Sequence, residues 1–209
     1  MLIDIFHDTA CPWCRIGKKQ LFDAIALIEH ETIDIRWHPF LLDDTIPAQG
    51  VGFRSFMKLR KGIGANQLTQ LFNYATQSGA KAGVKLDFDK VLLAVNTTLS
   101  HQLIALTPKT HKNVIVEAVY KAYFEDGLNI GDVNVLARIG KDFGFDESKL
   151  KQQLSGDAAL AEVMTAAEAA RNRGISSVPF FVINNKVSIS GSQSVEVFIQ
   201  AMQPEFSAI

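Results

Sequence analysis

The stretch that decides the fold opens with Leu2-Ile3-Asp4-Ile5-Phe6, continues through Cys11-Pro12-Trp13-Cys14, and runs on as Arg15-Ile16-Gly17-Lys18-Lys19-Gln20-Leu21-Phe22-Asp23-Ala24-Ile25. The first run is apolar and partly β-branched and reads as a strand; the last reads as a helix. A Cys-x-x-Cys at such a junction reads as a dithiol that cycles with a disulfide. Cys11 and Cys14 are also the only cysteines in the chain. At a helix start, residues three apart share the first turn, near enough for two sulfurs to bond. Cys11 falls at or near the N-cap, where unpaired N–H groups and the positive end of the helix dipole favour an anion. Cys11 is therefore the expected nucleophile. Pro12 fits the first turn, where its missing N–H leaves nothing unpaired. Cys14, one turn in, is expected to be more buried and to act second.

Composition narrows the function classes. A chain of 209 residues holds one large domain, or one domain with an insertion. Hydrophobic residues at 47% and charged residues at 21% provide for a substantial core. The formal net charge of −1, with acids and bases interspersed, argues against a nucleic-acid partner, which calls for a basic face. No apolar run reaches the roughly 18 residues that span a bilayer, so no membrane partner is expected. Met1 leads straight into the first strand, and Asp4 and Asp8 interrupt any leader-like apolar region. Two cysteines do not make a secreted disulfide scaffold. The expected location is cytoplasmic, where a Cys pair is more often catalytic or redox-sensing than structural.

Further along, the helix after the cysteines should run to about His30. Thr32 to His38 alternates apolar and polar residues, as a second strand does. Pro39, Pro47 and Gly50 mark a loop and the first boundary. From Phe53 to Arg173 the signals are helical throughout, with helices over Gln67–Thr76 and Asp89–Leu106. In the second of these Val91, Leu92, Val95, Leu99 and Leu103 form an apolar stripe. Thr107-Pro108 reads as a cap and first-turn proline for the next helix, with Ile115, Ala118, Val119 and Ala122 on one face. Asp132 and Asp146 cap two more, running through Ile139 and Leu154. A last helix with Leu160, Val163, Met164, Ala167 and Ala170 stops at Gly174. The Ala-rich stretch from Ala158 to Ala170 is helix composition. Then the period changes: Val178–Ile183 is a buried strand, Asn184-Asn185-Lys186 a tight turn, and Val187–Ser190 the return strand. A terminal helix carries Val195, Phe198 and Met202. The order is βαβ, a helical block, then ββα. The two ends together form a four-stranded sheet with helices packed on it.

That order, with Cys-x-x-Cys after the first strand and Val178-Pro179 opening the third, resembles the thioredoxin superfamily. The helical block narrows the resemblance to its DsbA-like branch. Several stretches are similar to the FrnE-like group of that branch: Asp8 to Gly17, Asn96 to His101, Tyr123 to Asp132, Gly174 to Ile183, and Ser190-Gly191-Ser192-Gln193. Ser100 and Ser192 stand where the group's pattern has alanine, and neither is expected to touch the thiol chemistry. The FrnE-like group is also related to 2-hydroxychromene-2-carboxylate isomerases and kappa-class glutathione transferases, which lack the Cys pair present here.

The resemblance implies an α/β fold, a thioredoxin-like βαβ–ββα core formed by residues 1–50 and 174–209, interrupted by an all-helical insertion over residues 51–173. It implies a thiol–disulfide oxidoreductase acting through Cys11 and Cys14. Pro179 would be the superfamily's cis-proline, sitting against the Cys pair. The Val178 backbone would pair with an extended substrate by strand addition, holding a substrate cysteine toward Cys11. Trp13, Val178 and Pro179 thus form the expected substrate-binding set. The partners implied are thiol- or disulfide-containing proteins or small molecules. No metal or organic cofactor is required, and glutathione is admissible as a redox partner.

Each feature also has a plainer reading. Cys11 and Cys14 alone make half a zinc site; zinc wants four ligands, and His7 is the only histidine nearby in sequence. Trp13 occupies the dipeptide that tunes redox behaviour across the superfamily. DsbA-type proteins often carry histidine there, and a tryptophan adds no positive charge. Equally, Trp13 offers an apolar surface to substrates. His101 either lines the cleft or, the favoured reading, is a satisfied polar group in a helical cap. Asn96-Thr97-Thr98 matches a glycosylation acceptor by chance, and Gly62-Ile63-Gly64 lacks the third glycine of a dinucleotide loop. Two other functions stay open: a glutathione-dependent isomerase or transferase of a small aromatic substrate, and a non-enzymatic redox sensor.

Overall fold

The computed structural model describes residues 1–28, 32–157 and 159–203. Its central strand is β1 (Leu2–His7), which leads into helix α1 (Pro12–Ala26) and then strand β2 (Asp34–Pro39), parallel to β1. After the insertion, β5 (Phe180–Ile183) returns antiparallel on the other side of β1, and β6 (Val187–Ser190) closes the sheet in the order β2-β1-β5-β6. Ile5 faces Trp37 on one neighbour and Phe181 on the other. Ile3, Ile5, Phe181 and Ile183 are fully buried, as strands covered on both faces require.

Asn184 and Asn185 make the β5–β6 turn in the left-handed region, with φ of 50° and 58°, which asparagine tolerates and a two-residue hairpin demands. Asn184 Oδ1 also accepts from Leu2 N at 2.8 Å, tying the hairpin to the start of β1. Helix α9 (Val195–Met202) then packs on α1, with Phe198 edge-on to Phe181 at 4.9 Å.

The block between the halves holds α2 (Phe53–Lys61), α3 (Ala65–Lys81), α4 (Thr98–Leu106), α5 (Lys109–Phe124), α6 (Val133–Asp142), α7 (Glu147–Ser155) and α8 (Leu160–Asn172). It is not helical throughout. Val51–Gly52 (β3) and Leu93–Ala94 (β4) pair as a short antiparallel ribbon. The expected helix over Asp89–Leu106 is therefore wrong in its first half. Val91 and Val95 are buried while Leu92 is 69% exposed, so the apolar stripe is not continuous. Asn96 ends the ribbon. Its Oδ1 accepts from Thr98 N at 2.9 Å, and its Nδ2 donates to Ile46 O at 2.7 Å, a local turn that competes with helix.

Other boundaries shift less. Helix α3 is longer than expected at both ends. Thr107 closes α4, with Oγ1 donating to Leu103 O at 2.7 Å, instead of capping α5. Strand β5 begins at Phe180, so Val178 and Pro179 precede it. Met164 is largely exposed rather than on the buried face of α8. Asp132 and Asp146 cap α6 and α7 as expected, accepting from Asn134 N and Lys149 N, both at 2.7 Å. Helix α1 ends at Ala26 with Leu27 as its C-cap, short of the expected His30; residues 29 and 30, and Ala158 of the Ala-rich stretch, lie outside the described residues.

Candidate functional site

The chain leaves β1 at His7 and turns sharply at Asp8. The Asp8 carbonyl accepts from Cys11 N at 3.1 Å, and its Oδ1 accepts from Ala10 N at 2.8 Å. This side-chain turn ends the strand and presents Cys11 as the N-cap of α1, with φ −95° and ψ 116°. Cys11 O then accepts from Cys14 N at 3.1 Å, starting the helix. Both cysteines are free thiols and both are buried, Cys11 at 5% exposure and Cys14 at 2%, so the expected contrast in burial is slight.

From the far side of the chain, 167 positions away, Val178 O faces the site: Cys11 Sγ donates to it at 3.8 Å. The Val178-Pro179 bond is cis, and Pro179 O accepts from Gly191 N at 2.8 Å. Gly17 explains how closely α1 approaches this loop. A Cβ there would lie 3.0 Å from Pro179 Cγ and 3.1 Å from Phe181 Cζ. Trp13 is half-buried, and its ring meets that of Tyr74, on α3, at 5.3 Å. Tyr74 itself is 63% exposed. Thus Cys11, Cys14, Trp13, Val178 and Pro179 gather in one place.

Around them lie residues that sequence reasoning missed. Asp8 is fully buried; its Oδ2 accepts from Leu42 N at 2.7 Å and from Thr97 Oγ1 at 3.2 Å. Burial outweighs these bonds and raises its carboxyl pKa from 3.8 to about 6. Ser100 does not touch either sulfur but braces the turn that precedes them. Its Oγ donates to Thr97 O at 2.7 Å and pairs with Thr9 Oγ1 at 2.6 Å, two residues before Cys11. Arg15, also buried, donates to Glu117 Oε1 at 2.8 Å, Glu125 Oε1 at 2.6 Å and Lys85 O at 2.7 Å. Lys18 adds a bond to Glu117 Oε2 at 2.9 Å. These bonds fasten α1 to α5. Asp8, three residues before the motif, was the one signal available in sequence.

Electrostatics separates the site's acids and bases. Burial pushes the Cys14 thiol pKa well up, and the neighbouring Cys11 adds to the effect. Burial raises the Tyr120 phenol pKa, and Cys14 and Cys11 add smaller contributions. His7 Nδ1 and Tyr120 OH share a hydrogen bond at 2.8 Å. Burial lowers the pKa of His7 well below 6.5 and that of His101 to about 3. His101 is not the satisfied cap residue expected: its Nε2 has no partner among the described residues, and its ring packs edge-on to His7 at 5.0 Å. Three cavities, of 710, 420 and 250 Å³, are lined without either cysteine.

The profile of the DSBA-like thioredoxin domain matches residues 2–203. The chain belongs to this family. The chain is 25% identical over 207 residues to the uncharacterised Bacillus subtilis protein YwbO, covering 97% of this chain and 96% of that one. Among solved structures, a probable DsbA oxidoreductase from Streptomyces coelicolor superposes with a TM-score of 0.88 at 23% identity, covering 100% of this chain and 91% of that one. The Pseudomonas aeruginosa cytosolic disulfide reductase DsbM, solved with GSH, gives 0.68 at 15% identity over 99% and 100% of the two chains. A 2-hydroxychromene-2-carboxylate isomerase gives 0.73 at 17% identity over 97% and 94%. These likenesses establish the DsbA-like thioredoxin fold with its helical insertion. No helix among the described residues is long and apolar enough to cross a membrane.

Proposed function

We propose that this protein is a thiol–disulfide oxidoreductase working through Cys11 and Cys14. The observation that carries the reading is Cys11 at the N-cap of α1 with its sulfur facing Val178 O, a backbone group placed to align an extended substrate. The Cys11 thiolate attacks one sulfur of a substrate disulfide, forming a mixed disulfide and releasing one substrate thiolate. Cys14, held as a thiol by burial, then loses its proton and attacks the Cys11 sulfur. The second substrate thiolate departs, each leaving sulfur takes a proton, and two electrons have passed from the dithiol to the substrate. The reverse sequence oxidises a substrate dithiol. Trp13 and Pro179 line the approach to Cys11. The substrates are thiol- or disulfide-bearing proteins or small molecules, with glutathione as the small-thiol partner, in the cytoplasm. The domain division at 1–50 and 174–209 against 51–173 belongs to the same proposal, the insertion contributing Tyr74 to the rim.

The test is a pair of substitutions assayed by insulin reduction. Cys11→Ser abolishes turnover, while Cys14→Ser accumulates a mixed disulfide that dithiothreitol releases. Full activity in Cys11→Ser would sink the proposal. Equilibration of the wild type with glutathione buffers gives the potential of the pair, and with it the favoured direction.

A further inference from the structure

The turn that delivers Cys11 is anchored from outside through two side chains. One is Asp8, whose Oδ2 accepts from Leu42 N at 2.7 Å and from Thr97 Oγ1 at 3.2 Å. The other is Thr9. It is fully buried, and among the described residues its hydroxyl has one partner, Ser100 Oγ, at 2.6 Å. Ser100 stands in the first turn of α4, 91 positions along the chain, and is equally buried.

The carbonyl of Thr97 fixes the direction of these bonds. A carbonyl only accepts, so the single hydrogen of the Ser100 hydroxyl is committed to Thr97 O at 2.7 Å, and Thr9 Oγ1 is the donor to Ser100. Thr97 O also accepts from His101 N at 3.0 Å. Loss of the Ser100 hydroxyl therefore leaves Thr97 O still served, and leaves Thr9 as a buried donor without its acceptor. Thr9 lies inside the turn that Cys11 N closes on Asp8 O at 3.1 Å. Freed from Ser100, it can satisfy its hydroxyl only by moving that turn, and Cys11 moves with it.

The two redox states do not depend on the turn equally. In the dithiol, the Cys11 sulfur is placed only by the backbone that carries it, and its thiolate gains from the N–H groups of α1 only when aligned with them. In the disulfide, the bond to Cys14 places the same sulfur as well. Loss of the anchor therefore falls mainly on the reduced state.

We propose that Ser100 is a positioning residue for the dithiol: bound to Thr9, it holds the turn that sets the Cys11 sulfur at the start of α1, and so raises the reactivity of Cys11 and stabilises the reduced pair. The proposal rests on the dithiol reading above. Alanine stands at this position in the FrnE-like pattern, so the device belongs to this chain, and Ser100→Ala removes one oxygen while adding no bulk.

The test compares Ser100→Ala, Thr9→Val, their combination and Thr9→Ser with the wild type, all as full chains. One readout is the rate at which iodoacetamide alkylates Cys11 in the reduced protein, followed by peptide mass. The other is the equilibrium in which the dithiol and oxidised glutathione give the protein disulfide and two reduced glutathiones. Ser100→Ala should slow alkylation about two- to fivefold and shift the equilibrium toward the protein disulfide by a similar factor. Thr9→Val should do the same, and the combined variant no more than either alone. Thr9→Ser keeps the hydroxyl and should match the wild type. A bond that only stabilised the fold would weaken both redox states alike in urea and move neither readout. The proposal fails if Ser100→Ala leaves alkylation of Cys11 unchanged, or if the two single effects multiply in the combined variant. Insulin turnover by the wild type decides the dithiol reading separately, because alkylation of Cys11 reports on the turn whether or not the pair cycles.

Discussion

Asp8→Asn isolates the cost of a buried carboxylate beside the Cys pair. Asp8 ionises near 3.8 in the unfolded chain and at about 6 in the folded one, because burial outweighs the bonds from Leu42, Ala10 and Thr97. Below 3.8 both states hold the proton. Between 3.8 and about 6 the folded chain keeps a proton that the unfolded chain has released, so stability falls as pH rises through this window. Above it the loss is complete, and the interval is worth about 3 kcal/mol. Asparagine cannot ionise and lacks this term. It carries a separate, pH-independent penalty, because Leu42 N loses its charged acceptor, costing about 1–3 kcal/mol. The buried histidines also titrate in this range, with the opposite sign, but they do so in both proteins and cancel in the difference. The measurement is urea unfolding of both proteins from about pH 4 to pH 7, read as wild type minus variant. That difference should fall by about 3 kcal/mol as pH rises, equivalent to a melting-temperature change on the order of 10 °C. A difference that stays flat across the range, or that rises with pH, refutes the assignment of a costly buried carboxylate to Asp8.

Three further substitutions probe the frame of the site. Gly17→Ala forces a methyl against Pro179 and Phe181 and should cost about 1–3 kcal/mol in denaturant unfolding, with reduced insulin turnover. Arg15→Met leaves Glu117 with Lys18 alone and takes from Glu125 its guanidinium partner. Glu117 is 41% exposed and so partly screened, and the expected loss is about 2–3 kcal/mol, below that of a fully buried pair. Trp13→Ala should raise KM for insulin several-fold, about 3- to 10-fold, while turnover of oxidised glutathione changes less, since a peptide uses the aromatic surface and a small disulfide does not.

The sequence carried the local half of the site and little of the rest. Strand β1, the Cys11 N-cap and Pro12 follow one another in the chain, and each is specified by its neighbours. The Asn184-Asn185 turn and the Asp132 and Asp146 caps were legible for the same reason. The Asp89–Leu106 stretch misled because Val91, Val95 and Leu99 suit a helix period, while their burial is decided by β3 and by Asn96 reaching Ile46. The Arg15 cluster depends on Glu117 and Glu125, 102 and 110 positions away, and no local pattern announces such a meeting. Ser100 reads in sequence as a neutral departure, because only the fold shows that its neighbour is Thr9.

Most of the long-range contacts around the site share an origin: one partner lies in the insertion. Thr97, at the N-cap of α4, binds Asp8, and Ser100 in the first turn binds Thr9, so both residues between β1 and Ala10 are braced by one helix end. Helix α5 places Tyr120 against His7 and Glu117 against Arg15, one residue after Cys14. Helix α3 sets Tyr74 beside Trp13. Cys14 lies in one apolar cluster with Val116, Val119 and Phe124 of α5, so the insertion shares in the burial that raises its thiol. The insertion thus acts on the sulfurs themselves as well as on what reaches them.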